Sequence, residues 1–251
     1  MKSLAPKRLK RINPKSSGRN FTGKITVRHQ GGRQKRHLRH IDWKRNVAVP
    51  AKVVAIEYDP NRTVQIALLS YQNGAKDYIL APQGLKVSDV IVSSDTPEIK
   101  VGNCLPLKNI PIGIQIHNLE IIPGKGAQMV RSAGNFALIQ SKEEDKALVK
   151  LPSGEIRAIN PDCKATIGAL GMEHHKEEII GSAGRARHMG RRPEVRGVAQ
   201  DPRSHPHGGG EGRSGIGLKS PKSVYGKRVM GVRTRNRKKY SNHLIIKRRG
   251  K

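Results

Sequence analysis

Hydrophobic positions between residues 47 and 167 come in short runs that alternate with polar residues and are separated by turn signals. Val64, Ile66 and Leu68 share one face of a predicted strand, because strand side chains alternate between two faces. Asn73-Gly74 follows that run and predicts a hairpin, since both residues tolerate positive φ. The pattern predicts strands over residues 53–58, 63–71, 77–80, 89–92, 113–122, 135–140, 147–151 and 155–159.

The predicted strands fall into two groups, separated by Pro123-Gly124-Lys125-Gly126. Proline and glycine in this arrangement do not continue a central strand. Strands that recur every 8 to 12 residues or so, with turns between them, are typical of small barrels. The sequence therefore predicts a mainly β protein with two barrels, followed by a short helix over 173–180. The expected domains are a basic N-terminal extension (1–45), a first barrel (46–120), a second barrel (121–185) and a basic, glycine-rich C-terminal extension (186–251).

The net charge of +30 lies entirely in the two ends of the chain. Residues 1–45 contain 15 basic and 1 acidic side chain, residues 46–180 contain 14 and 15, and residues 181–251 contain 20 and 3. This distribution is typical of a folded body with arms that bind a polyanion. The last 71 residues also carry 13 of the 27 glycines. Such a composition buries too little apolar surface to offset chain entropy, so we expect this segment and roughly the first 40 residues to be disordered in isolation.

Several other classes of protein are disfavoured. No apolar run approaches the roughly 20 residues that span a bilayer, and no secretory signal is evident, so we expect a soluble intracellular protein. Cys104 and Cys163 have no partner at zinc-finger spacing, which argues against zinc and disulfide roles. The basic N-terminus superficially matches a mitochondrial transit peptide, but prolines and glycines interrupt any amphipathic helix there.

The segment from Arg28 to His40 interleaves cations and histidines with the pair Gly31-Gly32. Cations neutralise phosphates, and glycine lets the main chain approach a nucleic acid closely. A solvated basic tail is the alternative interpretation. Metal binding by the histidines is disfavoured, because the surrounding cations would repel a metal ion.

The string from Ser204 to Arg213 reads Ser-His-Pro-His-Gly-Gly-Gly-Glu-Gly-Arg, and its main chain is suited to threading between RNA segments. Catalysis by His205 or His207 is an alternative, but it needs a partner within hydrogen-bond reach, and the nearby carboxylates are Glu211 and Asp201. Metal binding by the two histidines is another. No Gly-Lys-Ser/Thr ending follows, so the string is not a nucleotide-binding loop.

Basic clusters continue to the C-terminus, at residues 233–239 and 247–249. They also match nuclear localisation signals, but residues 244–246 are apolar and are expected to pack against another element. Lys125 and Arg131 are plausible phosphate contacts at a barrel edge, although the glycines beside Lys125 are equally explained as tight-turn residues. The residues expected to contact RNA are Arg28, His29, Arg33, Arg36, Arg39, Arg45, Lys125, Arg131, Arg185, Arg191, Arg192, Arg196, His205, His207, Gly208, Gly209, Gly210, Arg213, Arg228, Arg233, Arg235, Arg237, Lys238, Lys239, Arg248 and Arg249.

Ordered motifs along nearly the whole chain resemble the bacterial-type family of the second protein of the large ribosomal subunit. The motifs are Arg28-His29 with Gly31-Gly32, Glu57 to Arg62, Tyr78 to Pro82, Asn109-Ile110-Pro111 with His117-Asn118, Pro123 to Gly126, Arg131 to Gly134, Leu151 to Glu155 and His205 to Gly212.

The resemblance implies an oligonucleotide-binding (OB) type barrel followed by an SH3-like barrel, with both extensions threaded into large-subunit ribosomal RNA near the peptidyl-transferase region. It implies roles in assembly, transfer-RNA accommodation and subunit association, with His205 in the loop that reaches closest to the catalytic centre. The implied partners are this RNA, neighbouring ribosomal proteins and the small subunit, without a membrane or a homo-oligomer. No catalytic residue, bound metal or cofactor is expected, apart from Mg²⁺ as a counterion of the RNA.

Three departures from the family pattern point to an organellar member. Arg203-Ser204 stands where the family commonly has Val-Asp, which removes an acidic group that would orient His205. Ala127 and Met129-Val130 replace the usual Gly and Leu-Ala, and the start is shorter than in bacterial members. We therefore expect a mitochondrial ribosome, with plastid or bacterial cytoplasm as alternatives; a mitochondrion-encoded protein would need no transit peptide.

Two competing functions make distinct predictions. A His-dependent peptidyl or acyl transferase would turn over substrate without RNA and lose that activity in His205→Ala. A DNA-binding architectural protein would bind duplex DNA and structured RNA with comparable, salt-sensitive affinity.

Overall fold

The computed structural model describes residues 5–95, 97–210 and 213–249. The chain divides into two compact units. Of the described residues, unit 1 comprises 5–14, 35–179 and 240–249, and unit 2 comprises 15–34 and 180–239. Each unit therefore combines segments that are distant in the chain. None of the helices in these ranges is long and apolar enough to cross a membrane.

The described strands all belong to unit 1 and form three antiparallel sheets, with the orders β1-β2, β5-β4-β3-β6 and β13-β11-β10-β9-β8-β12-β7. The mainly β class is confirmed, and the two larger, curled sheets are consistent with an OB-type barrel followed by an SH3-like barrel. The strands are β1 (Lys10–Asn13), β2 (Arg36–Arg39), β3 (Ala51–Glu57), β4 (Ile66–Tyr71), β5 (Lys76–Leu80), β6 (Val90–Ile91), β7 (Cys104–Pro106), β8 (Gln115–His117), β9 (Ala137–Lys142), β10 (Ala147–Lys150), β11 (Ile156–Ile159), β12 (Lys164–Ile167) and β13 (Ile245–Lys247).

The four-stranded sheet is buried on both faces. From β4, Ala67 and Leu69 enter one apolar cluster, whereas Ile66 and Leu68 enter another on the opposite face. This explains the unbroken apolar run in that strand, since a strand covered on both faces needs no polar side chains. The predicted hairpin joins β4 to β5. Its turn uses positive φ only at Gly74 (75°); the neighbouring Asn73 instead accepts a hydrogen bond from the Ala75 N–H through Oδ1 (3.0 Å).

The seven-stranded sheet encloses a separate apolar cluster, which includes Ile116 of β8 and Ile139 of β9. It begins with β7, so the predicted limit at residue 120 falls between two neighbouring strands, β8 and β9. The last strand, β13, pairs with β11, and the Ala158 N–H donates to the Leu244 carbonyl (2.8 Å). Residues 244–246, which were predicted to pack against another element, therefore lie beside β11, with Leu244 and Ile245 half-buried and Ile246 60% exposed.

The predicted N-terminal extension, residues 1–45, divides between the two units. Its two outer parts belong to unit 1, where β1 and β2 form a ladder in register from Lys10 opposite Arg39 to Asn13 opposite Arg36. Leu9 and Ile41 both lie at the Lys10–Arg39 end of this ladder and are buried in the cluster that also contains Tyr78. These two apolar residues thus anchor the basic strands β1 and β2 in the core of unit 1.

Unit 2 consists mainly of turns around one short helix, α1 (Ala183–Met189). The helix was not predicted, because its sequence lacks an apolar stripe. It begins after Ser182, whose side chain accepts from the Arg185 N–H, and ends at Gly190 with φ of 103°. The short helix that was predicted over residues 173–180, just before α1 in the chain, is instead a 3₁₀ turn at Glu173–Glu177. None of the buried apolar side chains in the described ranges lies in unit 2.

Both cysteine thiols are expected to resist alkylation in the native protein. Burial raises the pKa of Cys104, and it raises the pKa of Cys163 to about 12, so neither forms the reactive thiolate at neutral pH. Labelling with iodoacetamide at pH 7.5, followed by mass spectrometry, should modify them only after addition of urea. Rapid labelling of either thiol without denaturant would contradict the buried positions of these side chains.

Candidate nucleic-acid interface

Two arginines in unit 1 lie over the ring of Trp43. The guanidinium carbon of Arg131 lies 4.6 Å from the Trp43 ring centre, and that of Arg62 lies 5.0 Å from it. These distances are within the range of cation–π attraction. The indole therefore limits the movement of two cations that come from different barrels.

A buried carboxylate, Asp59, lies beside Arg62 of this cluster. Its Oδ2 is 3.1 Å from Arg62 Nε, and its Oδ1 is 3.6 Å from Arg39 Nη1. Asp59 Oδ1 also accepts hydrogen bonds from the backbone and side-chain amides of Asn61, both at 3.0 Å. Burial lowers the pKa of Arg62, and the attraction of Asp59 opposes that shift, so the guanidinium stays protonated at neutral pH. Asp59 therefore acts as an internal counter-charge that orients two arginines.

A second buried carboxylate, Glu120, shapes the Pro-Gly-Lys-Gly turn. Its Oε1 accepts from the Gly126 N–H (2.8 Å), and its Oε2 accepts from the N–H groups of Lys164 (3.0 Å) and Gly124 (3.3 Å). The carboxylate thereby ties both glycines of the turn to β12. The side chain of Lys125, between those glycines, is exposed.

The same turn adjoins the Trp43 cluster. The Ala127 N–H donates to the Trp43 carbonyl (2.8 Å), and Arg131 Nη1 donates to the Ala127 carbonyl (3.3 Å). At Gly126 (φ 92°), an added Cβ would lie 3.2 Å from the Trp43 carbonyl oxygen, so glycine permits the close approach. The predicted contacts Lys125 and Arg131 are thus brought to one surface with Arg39.

Arg62 is a member of this cluster but is not among the RNA contacts expected from the sequence. In the sequence, Asp59 to Arg62 indicates a turn between two predicted strands, and Glu57 to Arg62 is one of the family motifs. The sequence feature that could have identified Arg62 is its spacing from Asp59. The two oppositely charged side chains stand at the two ends of a four-residue turn, where they can pair. The partner Trp43 could not be inferred, because it lies in a different part of the chain.

Arg45 is a correction to the predicted set of RNA contacts. Its side chain is buried, with Nε donating to Ser93 Oγ (2.9 Å) and Nη2 donating to the Gly102 carbonyl (3.3 Å). A guanidinium enclosed by protein partners does not reach a phosphate. We therefore assign Arg45 to the core of unit 1.

Unit 2 brings together two basic segments that are about 160 residues apart in the sequence. Gln30 and Arg191 form a β-bridge, and the Gly31 N–H donates to the Gly190 carbonyl (3.0 Å). The Arg192 N–H in turn donates to the His29 carbonyl (3.1 Å). These main-chain contacts place the predicted RNA-binding residues around Arg28 next to those around α1.

The His-Pro-His-Gly-Gly-Gly string folds on itself. The His207 N–H donates to His205 Nδ1 (3.0 Å), and the Lys222 N–H donates to His207 Nε2 (2.9 Å). Each ring therefore uses an unprotonated nitrogen to orient the local main chain. Within the described residues neither ring has a carboxylate hydrogen-bond partner, and Asp201 accepts from the Arg203 N–H instead. Glu211, considered as a catalytic partner, lies outside the described residues.

The glycines of this string serve the packing of unit 2 itself. An added Cβ at Gly208 would lie 2.4 Å from the Gln200 carbonyl oxygen, and one at Gly210 would lie 2.4 Å from the Ser214 side chain. Real Cβ atoms do not approach other atoms so closely. Glycine is thus needed here for a tight protein turn, whereas RNA contact by the string remains a prediction.

Most of the other predicted contacts have solvent-accessible side chains. Those classed as exposed are Arg28, Lys125, Arg131, Arg185, Arg191, Arg192, Arg196, Arg213, Arg228, Arg233, Arg237, Lys238, Lys239, Arg248 and Arg249. Those that are half-buried are His29, Arg33, Arg36, Arg39, Arg235, His205 and His207. In the part of the chain that the structure describes, no cluster of three or more His, Cys, Asp or Glu side chains is suited to a metal ion.

Two family profiles match the chain. The profile described as the RNA-binding N-terminal domain of Ribosomal Proteins L2 matches residues 6–93, and the C-terminal domain profile of the same proteins matches residues 100–226. The unmatched residues between them coincide with the passage from the four-stranded to the seven-stranded sheet. The chain therefore belongs to the ribosomal protein L2 family: it is an RNA-binding, non-enzymatic structural protein of the large ribosomal subunit, with ribosomal RNA and ribosomal proteins as partners.

Proposed function

We propose that the protein organises large-subunit ribosomal RNA near the peptidyl-transferase centre, with unit 1 docked on the RNA surface and unit 2 inserted between RNA segments. The observation that carries this proposal is the composition of unit 2. Its sequence ranges contain 21 Lys and Arg against 3 Asp and Glu. Its described residues contribute none of the buried apolar core.

Such a unit needs compensation from outside the protein. Gathered cations repel one another, and without a core little apolar burial opposes that repulsion. RNA phosphates supply the missing negative charge, and the release of their condensed counterions adds a favourable term. This supports a role in which ordering of unit 2 and binding of RNA are coupled.

Unit 1 supports a different type of contact. Arg62 and Arg131 are oriented by the Trp43 ring, and the ion pair with Asp59 restrains Arg62. An oriented guanidinium can donate two parallel hydrogen bonds to a phosphate and loses little side-chain entropy on binding. We propose that this cluster, together with exposed Lys125, is the principal phosphate contact of unit 1.

The finer roles rest on the family resemblance. We propose support for transfer-RNA accommodation and for subunit association, including contacts with the small subunit, and a mitochondrial location, on the basis of the departures at Ala127, Met129-Val130 and Arg203-Ser204. Mg²⁺ enters this proposal only as a counterion of the RNA, and the protein acts as a single copy without a membrane.

Replacing Arg233, Arg235 and Arg237 together by alanine should weaken binding to large-subunit ribosomal RNA and lower its salt dependence. Each lost phosphate contact removes about 0.7 to 0.9 from the slope of log K against log salt, so the slope should fall by about 2 to 3. Filter binding over a salt series measures this slope. Circular dichroism should remain unchanged, since the three residues lie outside the β sheets.

The matched control removes the same charge from the near-neutral middle, at the exposed residues Lys86, Lys146 and Lys150. Its slope should stay close to that of the wild type. Equal slopes for the two triple variants would show that only net charge matters. Competition with duplex DNA at fixed salt tests the alternative: equal affinity for DNA and for the ribosomal RNA would contradict the proposed function.

A further inference from the structure

A four-residue turn in unit 2, Asn20 to Gly23, presents an aromatic side chain to solvent. Phe21 is 100% exposed, although phenylalanine loses favourable free energy when it is left in water. The chain has only two phenylalanines, and aromatic residues make up 3% of it. Phe21 is the most exposed large hydrophobic side chain of the described residues, which makes it a candidate for contact with a ligand.

The turn is held by its own hydrogen bonds. The side-chain oxygen of Asn20 accepts from the Thr22 N–H (3.1 Å), the Thr22 hydroxyl (2.7 Å) and the Lys24 N–H (2.9 Å). The main chain adds a bond from the Gly23 N–H to the Asn20 carbonyl (3.1 Å). Phe21 therefore extends from a turn whose shape is set by local hydrogen bonds.

The two segments that flank the turn are also joined at their base. Arg19 and Ile25 form an antiparallel bridge, and the Gly18 carbonyl accepts from the N–H groups of Thr26 (2.9 Å) and Val27 (3.1 Å). Gly18 has φ of 73°, and an added Cβ would lie 2.1 Å from the Val27 carbonyl oxygen. Only glycine fits there, so the projection of Phe21 is built into the main chain.

The surroundings of Phe21 are cationic. Residues 15–34 contain five Lys and Arg and no Asp or Glu, and the exposed Arg19 and Lys24 flank the turn on either side. An aromatic ring between cations matches a polyanion that carries flat aromatic groups. The apolar pocket of a protein partner would need acidic residues around it to accept the same surface, whereas RNA supplies phosphates beside every base.

We infer that Phe21 stacks on an unpaired nucleobase of the large-subunit ribosomal RNA, with Arg19 and Lys24 on the flanking phosphates. This inference rests on the proposed RNA-binding function. Phenylalanine has only two side-chain torsions, so little side-chain entropy is lost on stacking. The contact tolerates any base, because every base has a π face.

The test compares variants of the full chain on ribosomal RNA purified from large subunits of the source organism. Phe21→Ala should weaken binding about 5- to 100-fold and leave the salt slope unchanged, since stacking removes no phosphate contact. Phe21→Trp should restore the affinity, whereas Phe21→Leu, which is apolar but not aromatic, should not. Ile179→Ala, a change at another strongly exposed apolar residue (85%), serves as the control and should bind like the wild type.

A spectroscopic arm reports the contact itself. Phe21→Trp adds a second tryptophan to Trp43, and its extra emission should be quenched when RNA is added, because the indole stacks on a base. Unquenched emission at saturation would overturn the inference.

The outcomes separate the two proposals. Failure of the wild type to prefer this RNA over duplex DNA would contradict the proposed function. Normal RNA binding by the wild type together with equal binding by Phe21→Ala, or full rescue by Phe21→Leu, would overturn the stacking inference alone. If Phe21→Ala no longer co-sedimented with large subunits but kept its affinity for the RNA, Phe21 would contact a protein partner. That result would likewise overturn the stacking inference.

Discussion

Acidification from pH 6.5 to about 4 is expected to remove about 3 kcal/mol of stability from unit 1 through His117 alone. This histidine on β8 is completely buried, and its Nδ1 lies 2.7 Å from the Gly168 carbonyl oxygen, to which the neutral ring donates. The pKa of His117 is lowered from 6.5 to about 4, mainly by burial; the hydrogen bond to the Gly168 carbonyl opposes this shift, and the nearby charge of buried Arg45 adds to it. The neutral form therefore belongs to the folded state.

The direction of this change in stability follows from proton binding in the two states. Below pH 6.5 the unfolded chain takes up a proton at this histidine, whereas the folded chain does so only near pH 4. The contribution is thus fully present above pH 6.5 and is lost as the pH falls through that window. Urea unfolding at several pH values, followed by the fluorescence of Trp43, measures the loss.

His117→Asn is the informative variant, since its amide can donate to the Gly168 carbonyl and does not titrate. The stability of this variant should fall less steeply between pH 6.5 and 4 than that of the wild type, by about 3 kcal/mol. His174→Gln, at an exposed histidine, is the control for general charge effects and should follow the wild type. If the stability of the wild type and of His117→Asn fell equally between pH 6.5 and 4, the pH dependence could not be assigned to His117.

Glu120→Gln is expected to lower the free energy of unfolding by about 2 to 4 kcal/mol at neutral pH. The carboxylate accepts three backbone hydrogen bonds, from Gly124, Gly126 and Lys164. An amide in its place turns one acceptor into a donor that faces an N–H group, inside a site that is only 1% exposed. The midpoint of thermal unfolding, measured by circular dichroism, should therefore fall.

Glu143→Gln makes the same chemical change in the exposed turn between β9 and β10, and it should alter stability by no more than about 0.5 kcal/mol. The turn that carries Lys125 should also loosen in Glu120→Gln, which amide exchange at Gly126 would detect. Equal stability of the two variants would mean that the Glu120 bonds contribute little.

Strand periodicity predicted much of the body correctly. The alternation around Val64 to Leu68 and the turn at Asn73-Gly74 led to β4, β5 and their hairpin. These features depend on neighbouring residues, so a local pattern contains them. In contrast, β7 and β12 are short and pair with strands distant in the sequence, and their sequences offered no clear alternation.

The candidate interface was predicted in part. Lys125 and Arg131 were identified from their motifs, and they lie at one surface. Arg62 was missed and Arg45 was wrongly included, because burial and partners decide the role of an arginine and the residue type alone does not. Glu120, a buried carboxylate that organises the cluster, carries no local signal that distinguishes it from surface acids; the spacing of Asp59 to Arg62 suggests a pair but does not reveal that Asp59 is buried.

The sequence by itself determined the mainly β class, the division of charge between a neutral middle and basic ends, and the motifs of the family. Each of these depends on composition or on residues close in the chain. The tertiary structure alone decided that residues 15–34 join 180–239 in one unit, and that the chain end returns as β13 beside β11. It also decided which cations are oriented over Trp43 and which one is buried. Such pairings join residues tens to hundreds of positions apart, and their free energy comes from packing and hydrogen bonds that exist only after the chain has folded.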